Sequence, residues 1–414
     1  MSNRRIACYD PHTLSSTGPR PTVNDATSID FDTFHQNTLQ QRLRDDDIAQ
    51  IARAAAAFGS LGFALNNSTR CYSYYPDGDQ LHVRADDAAD TLIRLDEDQW
   101  QGIAADLETA PALIYSGRVG AGCRGDLGNF MQWEPMLRSL YCGIPLFPMD
   151  GTPSLRNAQG HGLDPLSHFS LSDDPAVLRD YLSVMGYVLI RGVFSADEVA
   201  RLSEAGDQLR AAATADDQTS WWGKDHRGKD VVTRVLNGGD HPDLHALAGD
   251  PRILQLQALM PEGLKGENPS DTDAITVLFK TPGMVEGLSD LPWHRDCGMG
   301  GHAVMCPVIN LSIYLADATP DSGELRFLPG SHRFACPTPG ADAGISVSAL
   351  AGDVSLHFGD VMHGAPPPLS ENGPFRASVL MSFKPDFENH RGDRHYNDVL
   401  LKDGDGHVSS VPGS

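Results

Sequence analysis

The segment WHRD at residues 293–296 contains an imidazole and a carboxylate two positions apart. In an extended chain, residues i and i+2 project to the same side, so His294 and Asp296 could bind one metal ion together. Two side chains are not enough, because an iron or zinc site in a protein needs a third ligand. The pair therefore predicts a metal site only if a later segment supplies that ligand.

A third ligand is expected from the segment AGDVSLHFGDVMHGAPP at residues 351–367, which contains two histidines. We favour His363, because it follows the turn after a predicted strand and precedes a glycine and prolines that leave room at a cavity mouth. His357 falls inside the predicted strand and remains the alternative. Two histidines and one carboxylate on one face leave the opposite coordination positions free, as in non-haem Fe(II) oxygenases.

An arginine on a later strand predicts an anion site next to the metal. In GPFRASVLMSF at residues 373–383, alternation places Arg376 and Ser378 on the same face. A guanidinium can bind a carboxylate through two parallel hydrogen bonds, and a hydroxyl two residues away adds a donor. These two residues therefore indicate an anionic co-substrate such as 2-oxoglutarate.

Further candidates for the co-substrate side of the site come from two other segments. In VINLSIYL at residues 308–315, alternation groups Asn310, Ser312 and Tyr314. This group is either a solvent face or an inward, cofactor-side face, since helices normally cover the outer side of such a sheet. Lys280 is either a strand-end lysine that extends its ammonium group to solvent or a contact to the co-substrate.

The elements around these residues predict a mainly β core. From residue 273 onward, short β-prone runs alternate with glycine and proline turns, which is typical of a sandwich or closed β structure rather than a parallel sheet. Upstream, residues 173–186 predict an amphipathic helix that leads into a strand at 187–190. Ser195, with Glu198 three residues later, predicts the capped start of another helix. We expect a jelly roll backed by helices.

Residues 1–150 are predicted to be an accessory region of mixed, largely helical structure. The first ~25 residues, rich in Ser, Thr and Pro, are expected to be poorly ordered. Helices are predicted at residues 45–58 and 95–110, with a strand and turn between them. A stretch rich in proline and glycine from about 142 to 165 marks the predicted boundary, and the oxygenase-like domain is predicted at 165–414.

The overall charge limits the partners of this protein. The 32 Lys and Arg stand against 55 Asp and Glu, a formal net charge of −23, so nucleic acid and membrane surfaces are not expected as partners. No stretch approaches the ~20 apolar residues of a membrane span, and the N-terminus lacks the apolar segment of a signal peptide. The seven scattered cysteines contain no C-x-x-C pair and are typical of reduced thiols. A cytoplasmic location is therefore predicted.

The chain resembles the phytanoyl-CoA dioxygenase family of Fe(II)/2-oxoglutarate oxygenases over roughly residues 170–390. The matching segments, in family order, are GYVLIRGVFSADEVARL at 186–202, FKTPG at 279–283, WHRD at 293–296, SGELRFLPGSH at 322–332, GDVSLHFGDVMHG at 352–364 and FRASVLMSF at 375–383. The resemblance implies a double-stranded β-helix, iron bound by His294, Asp296 and His363, and Arg376 on the distal carboxylate of 2-oxoglutarate. The 13 residues from His363 to Arg376 are a slightly long interval for this family, which lengthens a loop without changing the ligand types.

What the resemblance implies about activity is a dioxygenase that consumes O2 and 2-oxoglutarate, releases succinate and CO2, and hydroxylates a small molecule. Desaturation, epoxidation and cyclisation use the same ligands and stay open. A zinc-dependent hydrolase could use the same three side chains to activate water, but it leaves Arg376 unexplained. For a non-catalytic jelly-roll binding protein, the three ligands and the arginine would be a coincidence.

The substrate is predicted from the segment that follows the first two ligands. Residues 297–308 carry no formal charge and include two methionines, and Trp293 and the Trp221–Trp222 pair add aromatic surface. Such a cavity mouth favours a largely apolar substrate, such as a lipid or a secondary-metabolite scaffold. The basic residues of 223–234 could receive a CoA thioester, but we interpret that segment as a solvated lid loop. Residues 1–150 are expected to shape the substrate entrance or a homodimer contact.

Overall fold

The computed structural model describes residues 29–119, 121–148, 153–296, 308–385, 397, 400–401 and 403–408. The predicted poorly ordered arm and most of the uncharged segment after Asp296 lie outside the described residues. Within them, hydrophobic side chains form two large cores, one drawn almost entirely from residues 31–146 and one from residues 178–383. No described helix is long and apolar enough to cross a bilayer.

Residues 29–148, here called the N-terminal unit, fold as helices around a four-stranded sheet. The helices are α1 Phe31–Thr33, α2 Leu39–Arg42, α3 Ile48–Ala55, α4 Glu97–Ala104, α5 Ala110–Tyr115 and α6 Leu127–Cys142, with a π-helical stretch at Phe34–Thr38 and a 3-10 turn at Ala56–Phe58. The strands are β1 Leu61–Leu65, β2 Cys71–Asp77, β3 Gln80–Arg84 and β4 Thr91–Leu95, in the order β3-β2-β1-β4.

The two helices predicted in the N-terminal unit are confirmed, with local causes for their ends. α3 continues into the 3-10 turn and ends at Gly59, whose φ of +70° favours glycine. α4 begins with a capping box in which Asp96 and Gln99 satisfy each other's backbone N–H groups. The sheet was predicted only in part, because β1 pairs in parallel with β4 across about thirty residues, a partnership that no local pattern encodes.

Residues 153–385 form the second unit. Its helices are α7 Pro175–Met185, α8 Ala196–Ala212, α9 Pro242–His245 and α10 Pro251–Gln257, with 3-10 turns at Gly238–Asp240, Ala246–Gly249, Pro320–Ser322 and Ser331–Arg333. Its strands are β5 Tyr187–Ile190, β6 Ser220–Asp225, β7 Asp230–Val235, β8 Leu264–Gly266, β9 Ile275–Phe279, β10 Met284–Glu286, β11 Leu291–His294, β12 Ile309–Tyr314, β13 Leu325–Phe327, β14 Ile345–Val347, β15 Val354–Phe358, β16 His363–Ala365 and β17 Ala377–Pro385.

These strands build two antiparallel sheets. The larger has nine strands in the order β10-β6-β7-β9-β17-β12-β15-β5, with β8 beside β17, and the smaller has the order β11-β16-β13-β14. The ring of Phe327 in the smaller sheet lies 5.4 Å from that of His357 in the larger, so the sheets face each other there. The chain is thus a mixed α/β protein with large antiparallel sheets, and the predicted β-rich region after residue 273 is confirmed.

The strand register of the larger sheet gathers its polar residues on one side. Asn310 lies opposite both His357 and Ser382, and Tyr314 lies opposite Ser378. Because directly paired residues share a face, these side chains define one surface, here called the inner face. On the other face, Leu311 and its neighbours at alternate positions are fully buried in the second core.

The start of α8 and the segment at residues 223–234 test two further predictions from the sequence. The capping box at Ser195 and Glu198 is confirmed as the start of α8. The predicted lid loop at residues 223–234 is wrong, because this segment is mostly the hairpin of β6 and β7. Asp225 accepts the backbone N–H groups of Arg227 and Lys229, which closes a tight turn instead of a loop.

Candidate metal centre and anion site

Three side chains converge where the two sheets face each other. β11 and β16 are antiparallel neighbours in which His294 lies opposite His363, and Asp296 follows two residues after His294. Asp296 Oδ1 lies 3.3 Å from His294 Nε2 and 3.4 Å from His363 Nε2. One ligand atom from each residue lies within 4.8 Å of the other two. The structure thus brings together the three residues that the sequence singled out.

The hydrogen bonds of the two histidines leave their Nε2 atoms directed at this point. His294 Nδ1 lies 2.8 Å from the Pro292 carbonyl, and His363 Nδ1 lies 2.9 Å from the Val361 carbonyl. A carbonyl oxygen only accepts, so Nδ1 carries the proton in each ring and Nε2 presents a lone pair in the neutral state. Two lone pairs and a carboxylate oxygen in such proximity need a cation between them. The donor set and its supporting carbonyls therefore fit a bound metal.

His357, the alternative ligand, contacts the carboxylate instead. Its Nε2 lies 3.2 Å from Asp296 Oδ2, and since a carboxylate only accepts, His357 is the donor. Asn310 Nδ2 donates to the same oxygen at 2.5 Å and in turn accepts from Ser382 Oγ at 2.7 Å. Asp296 Oδ2 is thus held from the inner face, while Oδ1 is left towards His294 and His363.

The carboxylate of Asp296 is electrostatically suited to a cation site. Burial opposes its ionisation, but when the neighbouring imidazoles are protonated, the charge of His363 and hydrogen bonds from His294, His357 and His363 hold its pKa well below the usual value. The Asp296 side chain is 31% exposed, whereas that of His363 is 6% exposed. The site is therefore closed on the β16 side and open beside Asp296.

Arg376 lies on the inner face, immediately before β17. Only 2% of it is exposed, and its Nε donates to the Gly323 carbonyl at 2.8 Å. Burial lowers its pKa, and the neighbouring Tyr314, Asp290 and Glu324 counteract that effect. A charged guanidinium that is removed from water in this way is stabilised by an anionic partner. The burial of Arg376 therefore fits the predicted carboxylate site.

Lys280 lies beside Arg376, since the backbone N–H of Lys280 donates to the Arg376 carbonyl. Its ammonium group contacts the carbonyls of Ser289 at 2.7 Å and Ala365 at 2.8 Å, and Asp290 Oδ1 at 2.6 Å. An ammonium group has three donors, and two of them are hydrogen-bonded to these carbonyls, while the contact with Asp290 is an ion pair. Lys280 can therefore act on a bound anion through its charge.

Two hydroxyl groups on the inner face have no partner within the part of the chain that the structure describes. Ser312 and Ser378 are both fully buried, and the Oγ of each lacks a hydrogen bond. Tyr314 lies opposite Ser378 and two residues after Ser312 on β12. Its OH lies 3.2 Å from Ser355 Oγ. Because an unsatisfied buried hydroxyl costs free energy, these orphaned groups fit a polar ligand such as the predicted co-substrate.

Sequence reasoning missed two acids in this site, of which only Glu324 is fully buried. Asp290 neutralises Lys280, and Glu324, which is 3% exposed, accepts from Ser346 Oγ. Glu324 lies in the family-like segment at 322–332, but nothing in its spacing indicated a partner. The hydrogen bonds that join Arg376 to the carbonyls of Ser322 and Gly323 bring Glu324 near it.

The aromatic and basic residues assigned to the cavity mouth have other partners. Trp221 packs with Leu236, Leu401 and Val408 in a small separate cluster, and its ring lies under Arg234. Trp293 alternates with His294 along β11 and lies 6.0 Å from the Arg326 guanidinium. Trp293 is therefore directed away from the metal-facing side of its strand. Trp221 pairs with Arg234, Arg234 with Leu278 and Leu278 with Ser378, so Trp221 shares the inner face of the larger sheet, near its edge.

Comparison with known proteins finds a family model that matches most of the second unit. The family model described as phytanoyl-CoA dioxygenase (PhyH) matches residues 183–377, a range that contains His294, Asp296, His363 and Arg376.

The curated relatives are distant. A probable alpha-ketoglutarate-dependent hypophosphite dioxygenase of Stutzerimonas stutzeri is 26% identical over 163 residues, covering 37% of this chain and 52% of that protein. The ectoine dioxygenase of Sphingopyxis alaskensis is 25% identical over 191 residues, covering 41% of this chain and 55% of that protein. The chain thus spans about half the length of the curated relatives it matches.

Solved structures give similar matches. The apo form of EctD from S. alaskensis is 23% identical with a TM-score of 0.44, covering 56% of this chain and 88% of that one. AviO1 from Streptomyces viridochromogenes is 24% identical with a TM-score of 0.40, covering 53% and 98%. The predicted resemblance to the phytanoyl-CoA dioxygenase family is confirmed by the match of that family model to residues 183–377.

Proposed function

We propose that this protein is an Fe(II)- and 2-oxoglutarate-dependent dioxygenase in which His294, Asp296 and His363 bind the iron. The observation that carries the proposal is the convergence of two Nε2 lone pairs and one carboxylate oxygen within 4.8 Å on the side of the sheets that also holds buried Arg376. Two histidines and one carboxylate are the ligand set typical of non-haem Fe(II) oxygenases. The family match over residues 183–377 supports the same chemistry.

The fold that goes with this proposal is a double-stranded β-helix, or jelly roll, in a domain at residues 165–414. The two facing antiparallel sheets support it. Residues 1–150 are proposed to be accessory, since the family match begins at residue 183.

Each residue of the site has a physical role in this proposal. When bound, Fe(II) with 2-oxoglutarate and O2 supplies the oxidising chemistry, with succinate and CO2 as co-products. The Pro292 and Val361 carbonyls fix the imidazole rings so that Nε2 faces the metal. Asn310 and His357 hold Asp296 Oδ2, which fixes the direction of Oδ1.

The co-substrate is proposed to lie along the inner face towards Arg376. Arg376 would bind its distal carboxylate through the guanidinium, Ser378 and Ser312 would donate their unpartnered hydroxyls, and Lys280 would contribute charge. Asn310 would act through Asp296 rather than by contacting the co-substrate.

The substrate is proposed to be a small, largely apolar molecule that is hydroxylated. The uncharged sequence of residues 297–308 supports an apolar cavity mouth. The basic hairpin at 223–234 offers little to a polyanionic carrier, since Lys224 pairs with Glu286 and Arg234 with Asp273.

The proposed activity is tested by loading the purified full chain anaerobically with Fe(II), Zn(II) or no metal and measuring succinate from 2-oxoglutarate. We expect succinate only with Fe(II), and more of it in the presence of an apolar substrate. Hydrolytic activity with Zn(II) and no succinate under any condition would favour the zinc hydrolase. Neither activity, with no metal bound, would favour the binding protein.

The substrate class is tested by comparing free apolar metabolites, their CoA thioesters and free amino acids as stimulators of succinate formation. Stimulation by charged amino acids alone would contradict the apolar proposal. A strict requirement for the thioester that is lost on neutralising Lys224, Arg227 and Lys229 would show that the hairpin receives a CoA carrier.

A further inference from the structure

The N-terminal unit contacts the backbone segment that carries two of the proposed ligands. Arg295 lies between His294 and Asp296, and alternation directs its side chain away from them. Its Nη2 donates to Glu134 Oε1 of α6 at 2.8 Å. The side chains of Arg295 and Glu134 are 11% and 10% exposed, so the ion pair is largely removed from water.

Glu134 is held firmly by its own unit. Its other oxygen, Oε2, accepts the backbone N–H of Ala110 at 2.7 Å. The helix around it is anchored in the first core by Phe130, Trp133 and Leu137, all of which are fully or almost fully buried. The carboxylate therefore presents a fixed position to Arg295.

The same face of α6 also approaches the segment that leads to the third ligand. Arg138 lies one helical turn after Glu134, and residues four apart on a helix share a face. Burial lowers the pKa of Arg138, but the carboxylates of Asp106, Asp360 and Glu134 together raise it. Arg138 donates to Asp106 of its own unit, while Asp360, which is 5% exposed and precedes His363 by three residues, acts on it through its charge.

Those two segments are also joined directly. The backbone N–H of Asp296 donates to the Gly359 carbonyl at 2.8 Å, next to Asp360. Just beyond α6, Leu146 and Ala335 form an isolated parallel bridge, in which the Phe147 N–H donates to the Ala335 carbonyl and the Ala335 N–H donates to the Pro145 carbonyl. The N-terminal unit is thus hydrogen-bonded to the second unit on the side where the ligands lie.

From these contacts we infer that the N-terminal unit positions the metal site, with Glu134 and Arg295 as positioning residues that set where His294 and Asp296 stand. The inference rests on the proposed function, because it assumes that these residues bind the metal. Neither α6 nor Glu134 lies in the family match at 183–377. Residues 29–148 would accordingly be part of the metal site's support in this chain, a role beyond shaping an entrance.

The inference is tested by a double-mutant cycle of Glu134→Gln, Arg295→Gln and the double variant in the full chain. Anaerobic titration with Fe(II), and with Co(II) as a spectroscopic probe, measures the metal Kd and the ligand-field spectrum. Loss of a residue that orients ligands typically weakens metal binding by 10-fold to 100-fold, so we expect each single variant to raise the Kd about tenfold. The double variant should be no worse than either single one, because both remove the same contact.

A matched control separates positioning from simple stability. Arg118→Gln breaks an ion pair of similar length, Arg118 Nη1 to Glu108 Oε2 at 2.7 Å, within the same unit. It should lower the Tm without changing the metal Kd or the Co(II) spectrum. Arg295→Lys, which keeps a charge for Glu134, should restore part of the affinity. If Glu134→Gln does not fold, Arg295→Gln and Arg295→Lys carry the test alone.

The outcomes distinguish this inference from the proposed function. Metal binding by the wild-type chain that neither Glu134→Gln nor Arg295→Gln changes would overturn the inference and leave the proposed function standing. Effects of the two variants that simply add would also overturn it, since they would show no shared contact. A wild-type chain that binds neither Fe(II) nor Co(II) would overturn both.

Discussion

His357 Nε2 lies 3.2 Å from Asp296 Oδ2. His357, at the end of β15, therefore donates a hydrogen bond to the carboxylate that is the candidate metal ligand. His357 is 4% exposed, and its Nδ1 has no hydrogen-bond partner among the described residues. The Nε2–H group therefore satisfies Asp296 Oδ2, while Nδ1 is left buried without a partner among the described residues. This relationship separates His357, which orients the carboxylate, from His363, whose Nε2 faces the metal position.

Replacement of these two histidines should have different consequences. His363→Ala should abolish both Fe(II) binding and succinate formation, because an open three-ligand site cannot lose a ligand and keep its geometry. His357→Ala should weaken Fe(II) binding about tenfold and leave succinate formation measurable at saturating metal. Exposed His161 provides a control, and His161→Ala should change neither. Full activity in His363→Ala together with loss in His357→Ala would reverse the assignment.

Arg376→Ala should act on the co-substrate and spare the metal. Removing the guanidinium from a buried carboxylate costs several kcal/mol, of order ~3, which corresponds to a rise of about two orders of magnitude in the Kd of 2-oxoglutarate. Fe(II) content should stay at the wild-type level. Metal analysis measures the Fe(II) content, and isothermal titration of the metal-loaded protein with 2-oxoglutarate measures the Kd. An unchanged affinity for 2-oxoglutarate would show that Arg376 is not the carboxylate partner.

Lys280 should make 2-oxoglutarate binding depend on pH. Burial, reinforced by the charge of Arg376, lowers the pKa of Lys280 to about 8, although Asp290 and Glu324 oppose the shift. Below that pH the ammonium balances Asp290, and above it an uncompensated carboxylate repels the dianion. The Kd should therefore rise as the pH passes about 8. Lys280→Met should show a flat profile over this range, and a wild-type profile that is equally flat would contradict the prediction.

The lowered pKa of Lys280 also determines how its contribution to the free energy of unfolding changes with pH. The folded-state pKa of about 8 lies below the ordinary value of 10.5, so between these pH values the unfolded chain binds more protons. The contribution of Lys280 to the free energy of unfolding should therefore increase with pH across this window. Denaturant titrations of the wild-type chain and Lys280→Met at several pH values measure it as the difference between the two.

Ser195→Ala should destabilise the second unit. Ser195 Oγ caps α8 by accepting the Glu198 backbone N–H, while the Glu198 side chain accepts from the Ser195 backbone. Loss of such a cap costs about 1 kcal/mol of unfolding free energy, which denaturant unfolding can measure. Ser203→Ala, in the middle of the same helix, should be neutral or slightly stabilising because alanine has the higher helix propensity. Equal effects of both substitutions would rule out the capping contribution.

Local periodicity is what made the central residues predictable from the amino-acid sequence. The i, i+2 spacing of His294 and Asp296, and of Arg376 and Ser378, follows from strand geometry and does not depend on the rest of the fold. The same holds for the start of α8, since a capping box is contained within four residues. These features identified the candidate site and the β-rich region that supports it.

Tertiary structure decided the contacts that join distant segments. Arg295 and Glu134 are 161 positions apart, and His357 and Asp296 are 61 apart, so no periodicity in either segment signals the pairing. The surroundings of Lys280 became known only from the structure, in which its ammonium group donates to the Ser289 and Ala365 carbonyls and pairs with Asp290. The physical reason is that sequence pattern determines the face on which a side chain lies, whereas the packing of sheets and helices determines what that face meets.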